Sequence, residues 1–144
     1  FSFRSQRDST FLEFSDLIGR KALFVWITNN SITARNLIDN KQYQYDEVIK
    51  LLPVLKVLEP KDITQIIWGV QPNYKEKFKV LPQSVKNNIV LDFHKKNIQD
   101  EKQALVGMNY YEKNSKNSIE IDIDVRKRNT DFLNMKKVWR LLKY

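Results

Sequence analysis

Cysteine is absent from the 144 residues, which excludes disulfides, thiolate metal sites and a cysteine nucleophile. A chain without disulfides reads most simply as intracellular, cytoplasmic or mitochondrial. Glycine is scarce, at three residues, and three scattered glycines cannot build a phosphate-cradling loop. The single histidine, His94, has Asp92 on the same strand face but no Ser or Cys motif to serve. One imidazole without thiolates makes no metal site either. The chain is therefore expected to be a non-enzyme with no cofactor. Long apolar runs are missing too. The longest, Ala22 to Ile27, suits a strand and falls far short of the roughly 20 residues of a membrane-spanning helix.

The residues that are present suit one compact domain over 1–144: 42% are hydrophobic and 12% aromatic. The chain opens on Phe1 rather than Met, and its Arg/Ser-biased start fits a mature end after a removed targeting peptide. A fragment of a larger assembly, or a partner within one, is equally compatible. Charge is uneven. The net charge is +8, of which residues 61–144 hold +7, and residues 126–144 carry seven basic groups against one acid, Asp131. Such a tail attracts polyanions (nucleic acid, anionic lipid or an acidic partner) unless it is simply a solvated helix face.

Thr10-Phe11-Leu12-Glu13 has the form of a capping box, and Phe11, Phe14, Leu17 and Ile18 fall on one helical face before Gly19, so a helix is predicted over 9–18. Residues 22–28 are β-rich and apolar and predict a buried strand. Ser31 is placed to cap a short helix through Ile38. A helical pattern over 46–58 is interrupted at Pro53, and a further short helix is predicted from Asp62 to Gly69. Strands are predicted at 77–81, 88–95, 104–112 and 118–126, the last two forming a hairpin around the turn-forming residues 114–118. Thr130 caps a final amphipathic helix. Phe132, Met135, Val138, Trp139 and Leu142 make its apolar stripe. The order predicts an α+β domain: N-terminal helices, an antiparallel sheet and a long C-terminal helix.

Three motifs stand in series: Phe78-Lys79-Val80-Leu81-Pro82, Leu105-Val106-Gly107 and Glu120-Ile121-Asp122-Ile123-Asp124-Val125. Together, over residues 68–126, they resemble the C-terminal START-like domain of the plant enhanced disease resistance proteins. The family's Gly-Ser-Ser after the acidic strand is replaced here by Arg126-Lys127-Arg128. The resemblance implies a helix-grip fold, with a curved sheet clasping the terminal helix, and a non-catalytic lipid-binding or interaction module.

An apolar slot under that helix would be lined by Phe93, Tyr110, Ile121, Ile123, Met135 and Trp139. Arg126, Lys127, Arg128, Lys136, Lys137, Arg140 and Lys143 would meet anionic head groups or a membrane surface. The alternative is a small basic subunit of a ribonucleoprotein or other large complex, such as an organellar ribosome, contacting RNA or an acidic protein through the same basic segment. Glu120, Asp122 and Asp124 share one strand face. They lack the Lys that a D…E-x-K nuclease needs two positions after its Glu, so they read as a solvated face that also guards against edge pairing.

Overall fold

The chain builds two antiparallel sheets with short helices packed between them. This computed structural model describes residues 1–6, 9–98, 102–127 and 134. The first sheet is a five-stranded meander of β1 (Ser2–Gln6), β2 (Ser9–Ser15), β3 (Lys21–Thr28), β4 (Ile32–Asn36) and β5 (Lys41–Tyr43), paired in sequence order. Then come α1 (Tyr45–Leu51), a 3-10 turn (Pro53–Lys56), α2 (Pro60–Ile67), α3 (Lys75–Val80) and α4 (Gln83–Asn88). The second sheet is a three-stranded meander of β6 (Ile89–Ile98), β7 (Lys102–Glu112) and β8 (Asn117–Asp122).

One core joins both sheets to the helices. Leu12, Val25, Ile27, Ile32 and Ala34 from the first sheet meet Val48, Leu55 and Leu58, then Ile63, Ile66 and Ile67 of α2, then Leu105, Met108 and Tyr110 of β7. The strand register explains the first group: Leu12 faces Val25, Val25 faces Ala34 and Ile27 faces Ile32, so all lie on one face. Phe11 and Phe24 occupy the opposite face, with ring centroids 5.2 Å apart, and they too are buried. A polar pair threads the core, where the buried Thr10 hydroxyl donates to Thr64 Oγ1 across 3.2 Å and lies 2.7 Å from Ser5 Oγ.

The helix-grip, START-like arrangement is overturned. The N-terminal helices expected at 9–18 and 31–38 are strands β2 and β4, and the segment expected as a strand at 77–81 is helix α3. Among the described residues no helix exceeds the eight residues of α2, and none is long enough to be grasped by a curved sheet. The amphipathic helix expected from Thr130 lies outside the described residues. Three physical reasons account for the reversals. Thr10, Phe11 and Leu12 are all buried, so β2 buries both faces and shows neither period cleanly. Gly19 does adopt a left-handed backbone, φ +82°, but in a hairpin turn rather than at a helix end. Phe78 and Val80, which alternate as a strand would, belong to a helix that leaves Val80 84% exposed.

Other expectations agree with the structure. The chain breaks at Leu52–Pro53, where α1 gives way to the 3-10 turn. Strands form at 21–28, 89–98, 102–112 and 117–122. α2 begins earlier than predicted, with its N-cap at Glu59, three residues before Asp62. Pro60 takes the first helical position, where its missing N–H costs nothing, and Asp62 Oδ2 accepts the Glu59 N–H at 2.8 Å.

Two outcomes are expected from the second sheet. A Cβ added at Gly107 would sit 2.7 Å from Asp122 Oδ1 and 2.8 Å from the Ile121 carbonyl. Gly107→Ala should therefore lower stability by about 1–3 kcal/mol in urea unfolding. The Tyr110 phenol is buried without a hydrogen-bond partner among the described residues, and burial pushes its pKa up to about 12. Its folded value exceeds the ordinary value of about 10, so its contribution is complete below pH ~10 and is lost as pH rises toward ~12. Tyr110→Phe should fold at least as well at pH 7 and lose less stability in that alkaline window.

Candidate functional site: an apolar edge of the first sheet

In the meander, the β2–β3 and β4–β5 turns lie at the same end of the sheet, and a backbone bond from Leu37 N–H to the Ala22 carbonyl, 2.9 Å, ties one to the other. The two turns use the same chemistry. Asp16 Oδ1 accepts the N–H of Ile18 at 3.1 Å, and Asn36 Oδ1 accepts the N–H of Ile38 at 2.9 Å. Each is a side-chain-closed turn that points an isoleucine outward two residues later. Leu17, Ile18 and Ile38 are 106%, 75% and 69% exposed, among the most exposed apolar side chains of the protein.

These tips are held rigidly. Asp16 also accepts from Arg20 N at 2.9 Å and Arg20 Nε at 2.8 Å, while Asp16 N–H donates to the Arg20 carbonyl and Gly19 N–H to the Asp16 carbonyl. The Arg20 guanidinium beside it holds the Asp16 carboxyl below its ordinary pKa. In the second turn, Asn36 Nδ2 donates to Asp39 at 2.8 Å and Arg35 donates to Asn40 Oδ1 at 2.7 Å, with Asn40 in the left-handed region at φ 50°. An exposed Leu-Ile pair in a flexible loop would fold back onto nearby apolar surface; a pinned turn denies it that choice. The β3–β4 turn at the opposite end presents Asn29 and Asn30 instead.

The surrounding charge is mixed. Arg20 and Lys21 are paired with Asp16 and Glu13, and Lys41 lies 4.7 Å over the Tyr43 ring, with Asp39 nearby in sequence. The apolar tips, rather than a local field, define this edge.

The residues singled out in the sequence fall elsewhere. Arg126 does not face solvent as a free cation. Its Nε donates to the Ile67 carbonyl at 2.7 Å and its Nη2 to the Ile66 carbonyl at 3.2 Å, closing the C-terminal end of α2. Desolvation there lowers its pKa. Lys127 is exposed, and Arg128, Lys136, Lys137, Arg140 and Lys143 lie outside the described residues, as do Met135 and Trp139. Phe93 is half-buried with its ring 5.2 Å from that of Tyr74, Tyr110 and Ile123 are core residues, and Ile121 is half-buried. By register Phe93, Tyr110 and Ile121 share one face of the second sheet, and with Ile123 they belong to or pack against the common core. Among the described residues no group of His, Asp or Glu is arranged to hold a metal ion, and His94 stands exposed opposite Gly107. No helix among them is long and apolar enough to cross a membrane.

Sequence reasoning missed the tips because it placed Leu17 and Ile18 on a buried helical face. The signal was there in two Asx residues, each followed at the second position by isoleucine and then by a turn residue, Gly19 or Asn40. Arg126→Met keeps the aliphatic stem but leaves two carbonyls of α2 without their donors. It should cost about 1–3 kcal/mol in chemical unfolding. Scanned against family models, curated proteins and solved structures, the chain matches none, so the site rests on its own geometry.

Proposed function

We propose that this domain is a non-catalytic lipid-surface-binding module that seats the Leu17–Ile18 and Ile38 turns in the interface of an anionic bilayer. The observation that carries this reading is the pair of pinned turns, side by side at one sheet end, each holding isoleucine in water. A soluble partner-free surface has no reason to stiffen such residues outward. A lipid interface accepts all three, at about 1.5–3 kcal/mol for each side chain fully buried.

That total matches a reversible contact, comparable with a single acyl anchor, and it falls short of irreversible insertion. The net charge of +8 adds long-range attraction to anionic head groups, on the order of 1 kcal/mol per Lys or Arg near the surface. Arg20, Lys21 and Lys41 lie at the level where head groups would sit, each already neutralised in part by an acid or an aromatic ring.

Co-sedimentation with phosphatidylcholine vesicles containing about 30% phosphatidylglycerol tests the reading. The unaltered protein should pellet with the vesicles, more weakly at high salt. The triple variant Leu17→Asp, Ile18→Asp, Ile38→Asp should lose at least about tenfold in partitioning. Its thermal midpoint should stay unchanged, because the three side chains pack against little. Equal pelleting of variant and parent, or a parent left in the supernatant, would dispose of the proposal.

A further inference from the structure

We infer that the groove between α3 and the outer edge of β6 binds an extended, acidic peptide segment by strand addition. Among the described residues β6 is paired on one side only. Its ladder runs to β7, from Ile89 opposite Glu112 to Ile98 opposite Lys102. Lys113 N–H donates to the Asn88 carbonyl, which fixes the parity of that ladder. Residues 88, 90, 92 and 94 bond toward β7, so residues 89, 91 and 93 turn their backbone groups away from it. The Phe93 N–H confirms the direction, since it is capped at 2.9 Å by Asp92 Oδ1, a side-chain plug on the open edge. The Ile89 N–H is taken by the Val85 carbonyl. What remains without a backbone partner among the described residues is a short, defined set: the N–H and C=O of Leu91, with the carbonyls of Ile89 and Phe93.

Beside this edge lies an apolar groove of about 420 Å³, floored by Tyr74 and Phe78 of the α3 segment and by Ile89 and Leu91. Val90 is 45% exposed at its rim. The Tyr74 ring is braced edge-on by Phe78, centroids 6.4 Å apart, and by Phe93 at 5.2 Å. α3 itself is anchored from behind. Lys77 Nζ reaches Asp62 at 2.7 Å and Glu59 at 3.0 Å, so the groove wall is fixed to α2.

The rim is basic. Lys75 and Lys79 line the groove, and Lys95 and Lys96 continue along β6. Lys79 is paired with Glu76 at 2.7 Å, whereas Lys75, Lys95 and Lys96 have no carboxylate partner among the described residues. The opposing charges on this face are those of Glu76 and Asp92.

The unpaired backbone groups decide the class of ligand. A lipid tail would fill the apolar floor but would cover the Leu91 N–H and C=O without bonding them, which strands two polar groups out of water. An extended peptide supplies both bonds, drops one apolar side chain into the groove and sets its alternate residues toward the lysines. This surface is separate from the turn edge of the first sheet, so it stands or falls independently of the lipid reading.

The test uses the unaltered protein and an acetylated, amidated hexapeptide of alternating glutamate and valine. Amide chemical shifts at Leu91, Phe93 and Val90 should move and saturate with a dissociation constant of about 1 mM or tighter. The same peptide N-methylated at the residue opposite Leu91 should bind at least about tenfold more weakly, because it cannot donate to the edge. Lys75→Glu, an exposed substitution, should weaken binding several-fold, and a lysine–valine peptide should not bind. Four results would overturn the inference: no saturation, equal affinity for the N-methylated peptide, displacement of the peptide by oleate at micellar dilution, or the same shifts appearing on concentrating the protein alone, which would make a second copy the occupant.

Discussion

Burial of α2 between the two sheets holds this fold together. Ile63, Ile66 and Ile67 are 8%, 0% and 2% exposed, and they touch a core shared by strands from both halves of the chain. The C-terminal end of α2 collects further ties. The Trp68 indole N–H donates to Ser5 Oγ of β1 at 2.6 Å, Leu105 N–H donates to the Gly69 carbonyl at 2.9 Å, and Arg126 closes the Ile66 and Ile67 carbonyls. A helix of eight residues has little stability of its own. It exists because apolar surface on three of its residues is removed from water and its terminal carbonyls are satisfied by a side chain that arrives about sixty residues later in the sequence.

That arrangement separates support from contact. α1 and α2 occupy the core-facing side of the first sheet, so its turns are free to extend past the packed layers. Side-chain bonds from Asp16 and Asn36 then set where Leu17, Ile18 and Ile38 point. A similar division operates at β6, where Lys77 binds α3 to the acids at the start of α2 while Lys75 stays exposed and, among the described residues, the outer edge of β6 has no paired strand. Arg126 illustrates the opposite fate of a basic residue. Its charge was a candidate for anion contact, yet its fork is spent on two backbone oxygens.

Much of the second half was legible from residues alone. The alternation in 89–95 and 119–122 survives as strands because each has one wet face, so hydropathy records the pleat, although β8 stops at Asp122, short of the predicted 126. The break at Pro53 was equally plain, since proline lacks a donor in any context. The first half was not legible in the same way. β2 buries residues on both faces, and its T-x-x-E spacing imitates a helix start that nothing in the strand uses. β4 follows Ser31, whose N–H and carbonyl engage Thr28 across a hairpin turn rather than capping a helix. The turn edge was hidden for a related reason. Leu17 and Ile18 look like core residues unless the flanking segments are already known to be strands.

The residues themselves determined the local chemistry: no thiol, one imidazole, a break at each proline, a wet-and-dry alternation in the late strands and an excess of positive charge. Tertiary structure decided which period the ambiguous segments obey, which strand edge stays open and which apolar side chains face water. The reason lies in range. Backbone restriction and side-chain chemistry act over a few positions, whereas burial depends on partners such as Arg126 and Ile66, or Thr10 and Thr64, which meet only after the chain has closed on itself.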